Sequence, residues 1–249
     1  MLNYDSLSIS LPKLGNSDDE NEDNILEASK SEVESDTIAQ FAISDGATES
    51  SFSKEWSDFL VCAYKDKKFD KEHLPETLKI VSETWQSRIN NIELPWYAQQ
   101  KADIGAFATF LGLTINRKDM CFEAVAIGDC NLFQIRNEEL ILSFPVSSSK
   151  DFDNTPNLFA SNQRHQSDFE GTVSYQKGNV APNDTILLAT DALAAWIFKH
   201  IEMGESPWNR LMSILGFSAD GFFEDWLNKQ RRTNEIKNDD VTLLIIKFE

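Results

Sequence analysis

Leu7, Ile9 and Leu11 alternate with polar residues, which predicts a short strand within Ser6 to Leu14. A largely apolar run from Ile38 to Ile43 predicts a buried strand that delivers Asp45 and Gly46 to a sharp exit. Phe52, Trp56, Phe59, Leu60 and Ala63 then recur at helical spacing, predicting a helix from Ser50 to Tyr64 with Trp56 and Phe59 in the core. A second amphipathic helix, Pro75 to Ile89, carries Leu78, Val81, Trp85 and Ile89, and Leu94-Pro95-Trp96 opens a short helix reaching Lys101. Phe107 to Ile115 is apolar, Cys121 to Ile127 alternates, and Gly128-Asp129 makes a turn. Leu132 to Ile135 and Leu140 to Phe144 flank Asn137-Glu138-Glu139 as further short strands. Such a run of hairpins predicts antiparallel sheet, and the helices inserted between strands rule out a plain meander.

Pro145 to Asn179 is polar and low in periodicity, which predicts a long loop or flap over a site, anchored by Phe152, Leu158 and Phe159. Thr185 to Ala189 reads as a buried strand ending in Thr190-Asp191. Helices follow at Ala192 to Ile201, Pro207 to Leu215 and Gly221 to Arg231, and a last strand, Val241 to Phe248, follows Asn238-Asp239-Asp240.

Composition narrows the class. With 249 residues, 41% of them hydrophobic and with 17 Phe and 6 Trp, the chain has the make-up of a globular protein. Its 23 Lys and Arg against 41 Asp and Glu leave a net charge of −18. That balance argues against nucleic acid or an anionic membrane as the main partner. Cys62, Cys121 and Cys130 form neither an even framework nor a Cys-x-x-Cys pair, as expected for a reducing, cytoplasmic compartment. Met1 to Ser10 carries no basic-then-apolar leader, and no apolar run approaches the roughly 20 residues of a membrane span. His73, His165 and His200 are scattered and read as surface or packing residues.

Acidic residues mark the predicted strand ends and tight loops: Glu22 and Asp23, Asp45, Asp191, Asp239 and Asp240, with Asp129 at a hairpin turn. Strand ends along one sheet edge can meet in space. Carboxylates gathered there repel and resist burial unless a hard cation with oxygen ligands, such as Mg²⁺ or Mn²⁺, resolves the charge. The competing reading is a set of ordinary turn and capping aspartates. An EF-hand loop within Gly15 to Asn24 is excluded by the offsets of its glycine and glutamate.

Taken in order, Asn21-Glu22-Asp23, Ser44-Asp45-Gly46, Gly105-Ala106-Phe107-Ala108-Thr109, Gly128-Asp129-Cys130, Ala189-Thr190-Asp191-Ala192 and Asp239-Asp240-Val241-Thr242 carry a specific resemblance. The set resembles the type 2C, metal-dependent serine/threonine protein phosphatases, in particular the compact bacterial members, over about Ser6 to Phe248. The resemblance implies a single α+β domain over residues 1–249, a four-layer sandwich of two antiparallel sheets flanked by helix pairs. It implies Mn²⁺ or Mg²⁺ as cofactor, with Asp45 bridging two ions. Glu22 and the Gly46 carbonyl would bind one of them and Asp191 and Asp239 the other. Asp23 would hold the attacking water, and Asp129 would belong to a third, weaker metal site. The implied substrate is a phosphorylated protein, with an opposing serine/threonine kinase in the same signalling step. The alternatives are a catalytically impaired relative acting as a regulatory phosphoprotein-binding protein, and a hydrolase of small phosphate esters.

Three positions depart from the family pattern. Ala192 stands where glycine is usual, and Asp240 where asparagine is usual. Asp18 stands at the place of a phosphate-binding arginine, with Lys13, the nearest cation, expected to be a solvated edge residue. Phosphate binding is then expected to rest on the metals.

Overall fold

The computed structural model describes residues 1–28, 37–48, 50–93, 95, 102–152, 156–166, 171–216 and 221–249. The helix expected from Leu94 to Lys101 lies outside the described residues, apart from Pro95.

Two five-stranded antiparallel sheets stack face to face. The first runs β1 (Tyr4–Leu11), β12 (Val241–Phe248), β11 (Thr185–Ala189), β7 (Asn131–Arg136) and β8 (Glu139–Phe144). The second runs β10 (Val173–Asn179), β6 (Cys121–Ile127), β5 (Phe110–Asn116), β3 (Ile38–Asp45) and β2 (Asp23–Leu26). A separate short pair, β4 (Phe107–Ala108) and β9 (Phe159–Ala160), adjoins the end of β3. Helices α1 (Ser53–Asp66) and α2 (Leu74–Asn90) cover the second sheet, and α3 (Asp191–Glu202), α4 (Pro207–Gly216) and α5 (Phe222–Arg232) cover the first.

The layers follow from side-chain alternation on strands covered on both faces. Leu244, Ile246 and Phe248 of β12 join Ile186 and Leu188 of β11 between the sheets, where they meet Phe41, Ile43, Leu111, Leu113 and Phe122. The opposite faces of the same two strands, Val241, Leu243, Ile245, Leu187 and Ala189, pack under α3, α4 and α5 with Trp196, Phe198 and Leu227. On the far side, Ala42, Phe110, Val125 and Ile127 meet Trp56, Leu60, Leu78 and Trp85 of α1 and α2. A strand buried on both faces shows a nearly continuous apolar run, which is why β11 and β12 stand out in the sequence. Trp56 is fully buried, stacks on Phe59 at 6.2 Å and donates from Nε1 to the Phe159 carbonyl at 2.9 Å.

Two segments differ from the sequence expectation. Asp23–Leu26, where no strand is predicted, forms edge strand β2 paired with β3. Within the expected loop Pro145 to Asn179, which also holds the short strand β9, Val173–Asn179 forms edge strand β10 along β6. Both are edges with polar outward positions, so neither shows the apolar run of an interior strand. Of the expected anchors, Phe159 is fully buried, while Phe152 and Leu158 are half-buried.

Candidate active site

The register of β2 on β3 sets Asp23 directly opposite Asp45. Like charges facing each other across two strands are unfavourable, and nothing in strand pairing itself compensates them. Asp45 is held from both sides: its carbonyl accepts from Thr109 N at 2.9 Å, and Gly46 N donates to the Glu22 carbonyl at 3.2 Å. Gly46 also bridges to Ala108. A Cβ at Gly46 would lie 2.8 Å from the Ser53 backbone carbon and oxygen, so glycine here lets the first turn of α1 come in against the strand end. That turn fixes the next carboxylate. Ser53 Oγ donates to Glu22 Oε1 at 2.5 Å, and Ser57 Oγ donates to the Glu22 carbonyl at 2.7 Å.

The first sheet brings in the rest. Asp191 opens α3 directly after β11, and Asp239 precedes β12 by two residues. Thr190, between β11 and Asp191, ties the sheets together: its hydroxyl donates to Asp23 Oδ2 at 3.0 Å and accepts from Thr242 N at 2.9 Å. Asp129 sits at the β6–β7 turn, buried, behind Gly128, whose φ of +88° requires a residue without a Cβ.

Charge is concentrated here without matching compensation. Asp23 is 5% exposed, and its Oδ1 is buried with no hydrogen-bond partner. Burial pushes the Asp23 carboxyl well above the ordinary aspartate range; the Thr242 and Thr190 hydroxyls pull against this, and the charges of Asp240 and Asp191 add to it. Burial likewise raises Asp45 well above that range, with Asp23, Asp191, Asp239 and Asp129 all adding in the same direction. Asp191 is raised by burial and by Asp239, against the charge of Lys237.

Asp240 is not a free extra charge. It is buried, and its Oδ1 accepts from Lys13 N at 2.7 Å while Oδ2 accepts from Glu22 N at 2.9 Å. Asparagine offers only one acceptor oxygen, so the carboxylate at this position is what lets both backbone donors be met. Lys13 is therefore no solvated edge residue. Its backbone caps Asp240, and its ammonium lies 3.7 Å from Glu22 Oε2 and 3.3 Å from Thr48 Oγ1. Asp18, at the place of the family's arginine, lies exposed in a short 3-10 turn. Ala192 is accommodated: its methyl is buried with the α3 core, and its N–H donates to Asp191 Oδ1 at 2.5 Å.

Two further cations come from the other end of the chain. Arg231 is buried and donates from Nη2 to the Asp239 carbonyl at 2.5 Å. Lys237 Nζ lies 2.6 Å from Asp239 Oδ2 and 3.6 Å from Asp191 Oδ2. Neither residue sits in an acidic motif, so sequence reading passed over both. Ser53, Ser57, Thr109 and Thr190 were missed in the same way, although Thr109 and Thr190 each lie inside a motif that was noticed.

Among the described residues, no three carboxylate, imidazole or thiol groups converge closely enough to enclose an ion as the side chains stand. His73 bonds to Asp70 and His200 to Glu205, so these two imidazoles are engaged elsewhere. Cys130 is fully buried, and burial pushes its thiol well up, which leaves it unsuited to act as a nucleophile.

The raised carboxyls give a pH prediction. A carboxyl whose folded pKa lies above its unfolded value of about 3.9 contributes full stability only below that value, and the contribution is lost as pH rises through the folded pKa. In chelator, the melting temperature should fall as pH rises above the ordinary aspartate range of about 4. Asp45→Asn should flatten that slope. An unchanged slope would show that ionising Asp45 costs the fold nothing.

A family model described as Protein phosphatase 2C matches residues 16–235. The fold is similar to that of the photosystem II phosphatase PBCP, at 13% identity and TM-score 0.63 with 99% of each chain covered. It is also similar to the catalytic domain of the serine/threonine protein phosphatase PstP in complex with two manganese ions, at 14% identity and TM-score 0.62, covering 100% of this chain and 99% of that one. A serine/threonine phosphatase of S. agalactiae matches at 12% identity and TM-score 0.60, over 99% of this chain and 100% of that one. No curated protein sequence matches the chain. Identities this low establish the fold alone, but the family model spans most of the residues, including Glu22, Asp45 and Asp191. The chain belongs to the protein phosphatase 2C family.

Proposed function

We propose that the protein is a metal-dependent serine/threonine phosphoprotein phosphatase of the cytoplasm, hydrolysing phosphomonoesters with Mn²⁺ or Mg²⁺. The observation that carries this reading is the Asp23–Asp45 pair, set face to face by the strand register, with one buried oxygen of Asp23 unpartnered. Buried carboxylates in that state call for a cation, and all-oxygen donors suit a hard divalent one. Glu22, Asp45 and the Gly46 carbonyl would hold one ion, Asp191 and Asp239 a second, and Asp129 would serve a third, weaker site. When bound, such ions neutralise phosphoryl oxygens and lower the pKa of water, so no protein nucleophile is needed.

The chain's own residues position the rest. Ser53 and Lys13 orient the Glu22 carboxylate, Thr190 fixes one Asp23 oxygen while the other is buried without a hydrogen-bond partner, and Arg231 steadies the loop carrying Asp239. Asp23 would hold the attacking water in place. Among the described residues no helix is long and apolar enough to cross a membrane, and all three cysteines are free.

Leu158, from the segment between β8 and β10, would contribute to substrate selection. A cavity of about 380 Å³ lined by Ala47, Ser50, Ile104, Gly105, Phe107 and Leu158 begins two residues beyond Asp45. It is suited to hold an apolar side chain flanking the phosphorylated residue. Leu158→Ser should lower kcat/KM for a phosphothreonine peptide by roughly tenfold, while turnover of a small aryl phosphate changes little. Equal losses on both substrates would place Leu158 in structural support only.

The reading as a whole is tested by phosphate release from a phosphothreonine peptide and an aryl phosphate, in Mn²⁺ and in chelator. Turnover in Mn²⁺ that vanishes in chelator is expected, with the peptide preferred. Turnover of the aryl ester alone would move the substrate class to small esters, and none in either condition would overturn the enzyme assignment.

A further inference from the structure

The two outer aspartates are arranged alike. Asp191 Oδ1 accepts from Ala192 N at 2.5 Å, and Asp239 Oδ1 accepts from Asp240 N at 3.1 Å. In each, the oxygen turned away from its own backbone is Oδ2, and both Oδ2 atoms face the ammonium of Lys237, at 3.6 and 2.6 Å. Local geometry puts it there. Asp239 N donates to the Lys237 carbonyl at 2.9 Å, a three-residue turn that folds the lysine back over the aspartate two positions on. Arg231 clamps the same turn through the Asp239 carbonyl.

Lys237 is 60% exposed, so it reaches the carboxylates from the solvent side and can swing clear without disturbing the core. Lys13 is held differently, with its ammonium 3.7 Å from a single oxygen of Glu22.

We propose that Lys237 is a tethered counter-ion that competes with the second divalent cation for the Oδ2 atoms of Asp191 and Asp239. This rests on the metal-dependent reading above and extends it to this chain's own occupancy. An ion that draws on both aspartates must displace the ammonium, so the site at Asp191 and Asp239 fills later than the one at Glu22, Asp45 and Gly46. The competition is modest, because a solvent-exposed ion pair is worth little and is screened by salt. Loss of the second ion on dilution or at low metal then leaves the two aspartates partly neutralised by one ammonium rather than exposed to each other.

The test is calorimetric titration of the full chain with MnCl₂ after chelator removal, on wild type, Lys237→Met, Lys237→Arg and Lys13→Met. Wild type should show a tighter and a weaker class of Mn²⁺. Lys237→Met should tighten the weaker class by roughly three- to tenfold, while Lys237→Arg and Lys13→Met leave it weak. A second readout guards against a poorly folded variant. Without metal, Lys237→Met should melt below wild type, and saturating Mn²⁺ should close that gap. Unchanged affinities in Lys237→Met, or the same tightening in Lys13→Met, would overturn the proposal and leave the phosphatase reading intact. Failure of every variant to bind Mn²⁺ would overturn both.

Discussion

Asp45→Asn should lower kcat for phosphopeptide hydrolysis by about a hundredfold or more, the scale seen when preorganised charge is withdrawn from a transition state. The position allows little substitution. Asp45 closes β3, its backbone is fixed by Thr109, and Gly46 behind it is pressed against Ser53. Asparagine keeps the size and one acceptor oxygen but removes the charge, so the variant should fold and fail chemically. Wild-type turnover in Asp45→Asn would remove this residue from the centre of the site.

The same variant should respond to metal with opposite signs in two conditions. Binding to the folded state alone stabilises it by RT ln(1 + [L]/Kd), about 2.7 kcal/mol at a hundredfold excess over Kd. For a domain of this size each kcal/mol moves Tm by roughly 2–4 °C, so Mn²⁺ should raise the wild-type Tm by roughly 5–10 °C over chelator. Asp45 faces Asp23 across the register and is raised by four neighbouring aspartates, so neutralising it relieves repulsion. Asp45→Asn should therefore melt above wild type in chelator and lose most of the Mn²⁺ response. Asp239→Asn separates the effects less cleanly, because it also breaks the Lys237 pair. Scanning calorimetry in both conditions settles the signs, and a wild-type Tm indifferent to Mn²⁺ would refute the prediction.

How far the sequence could be read depended on where each residue sits. Interior strands β3, β5, β11 and β12 showed as apolar runs because both their faces are covered, and β6 showed by alternation. Edge strands β2 and β10 did not, since an edge carries polar residues and its pairing depends on a partner far along the chain. The acidic residues announced themselves by lying at strand ends, and the register confirms one adjacency, Asp23 against Asp45. What escaped was the supporting network. Asp240 looked like a surplus charge until its oxygens were seen to cap the backbones of Lys13 and Glu22, more than two hundred positions away in sequence. Lys237 and Arg231 carry no motif, and only the folded turn before β12 brings them onto Asp239. The close packing of Ser53 of α1 against Gly46 carries no sequence signal either.

The central claim, that these strand ends form a divalent-cation centre around Asp45, is tested most directly by anomalous diffraction at the manganese edge from crystals grown with MnCl₂. The account predicts a strong peak within coordination distance of the Asp45 carboxylate, shared with Glu22 and the Gly46 carbonyl, and a weaker one beside Asp191 and Asp239. Well-ordered carboxylates with no anomalous density near Asp45 at saturating Mn²⁺ would contradict it.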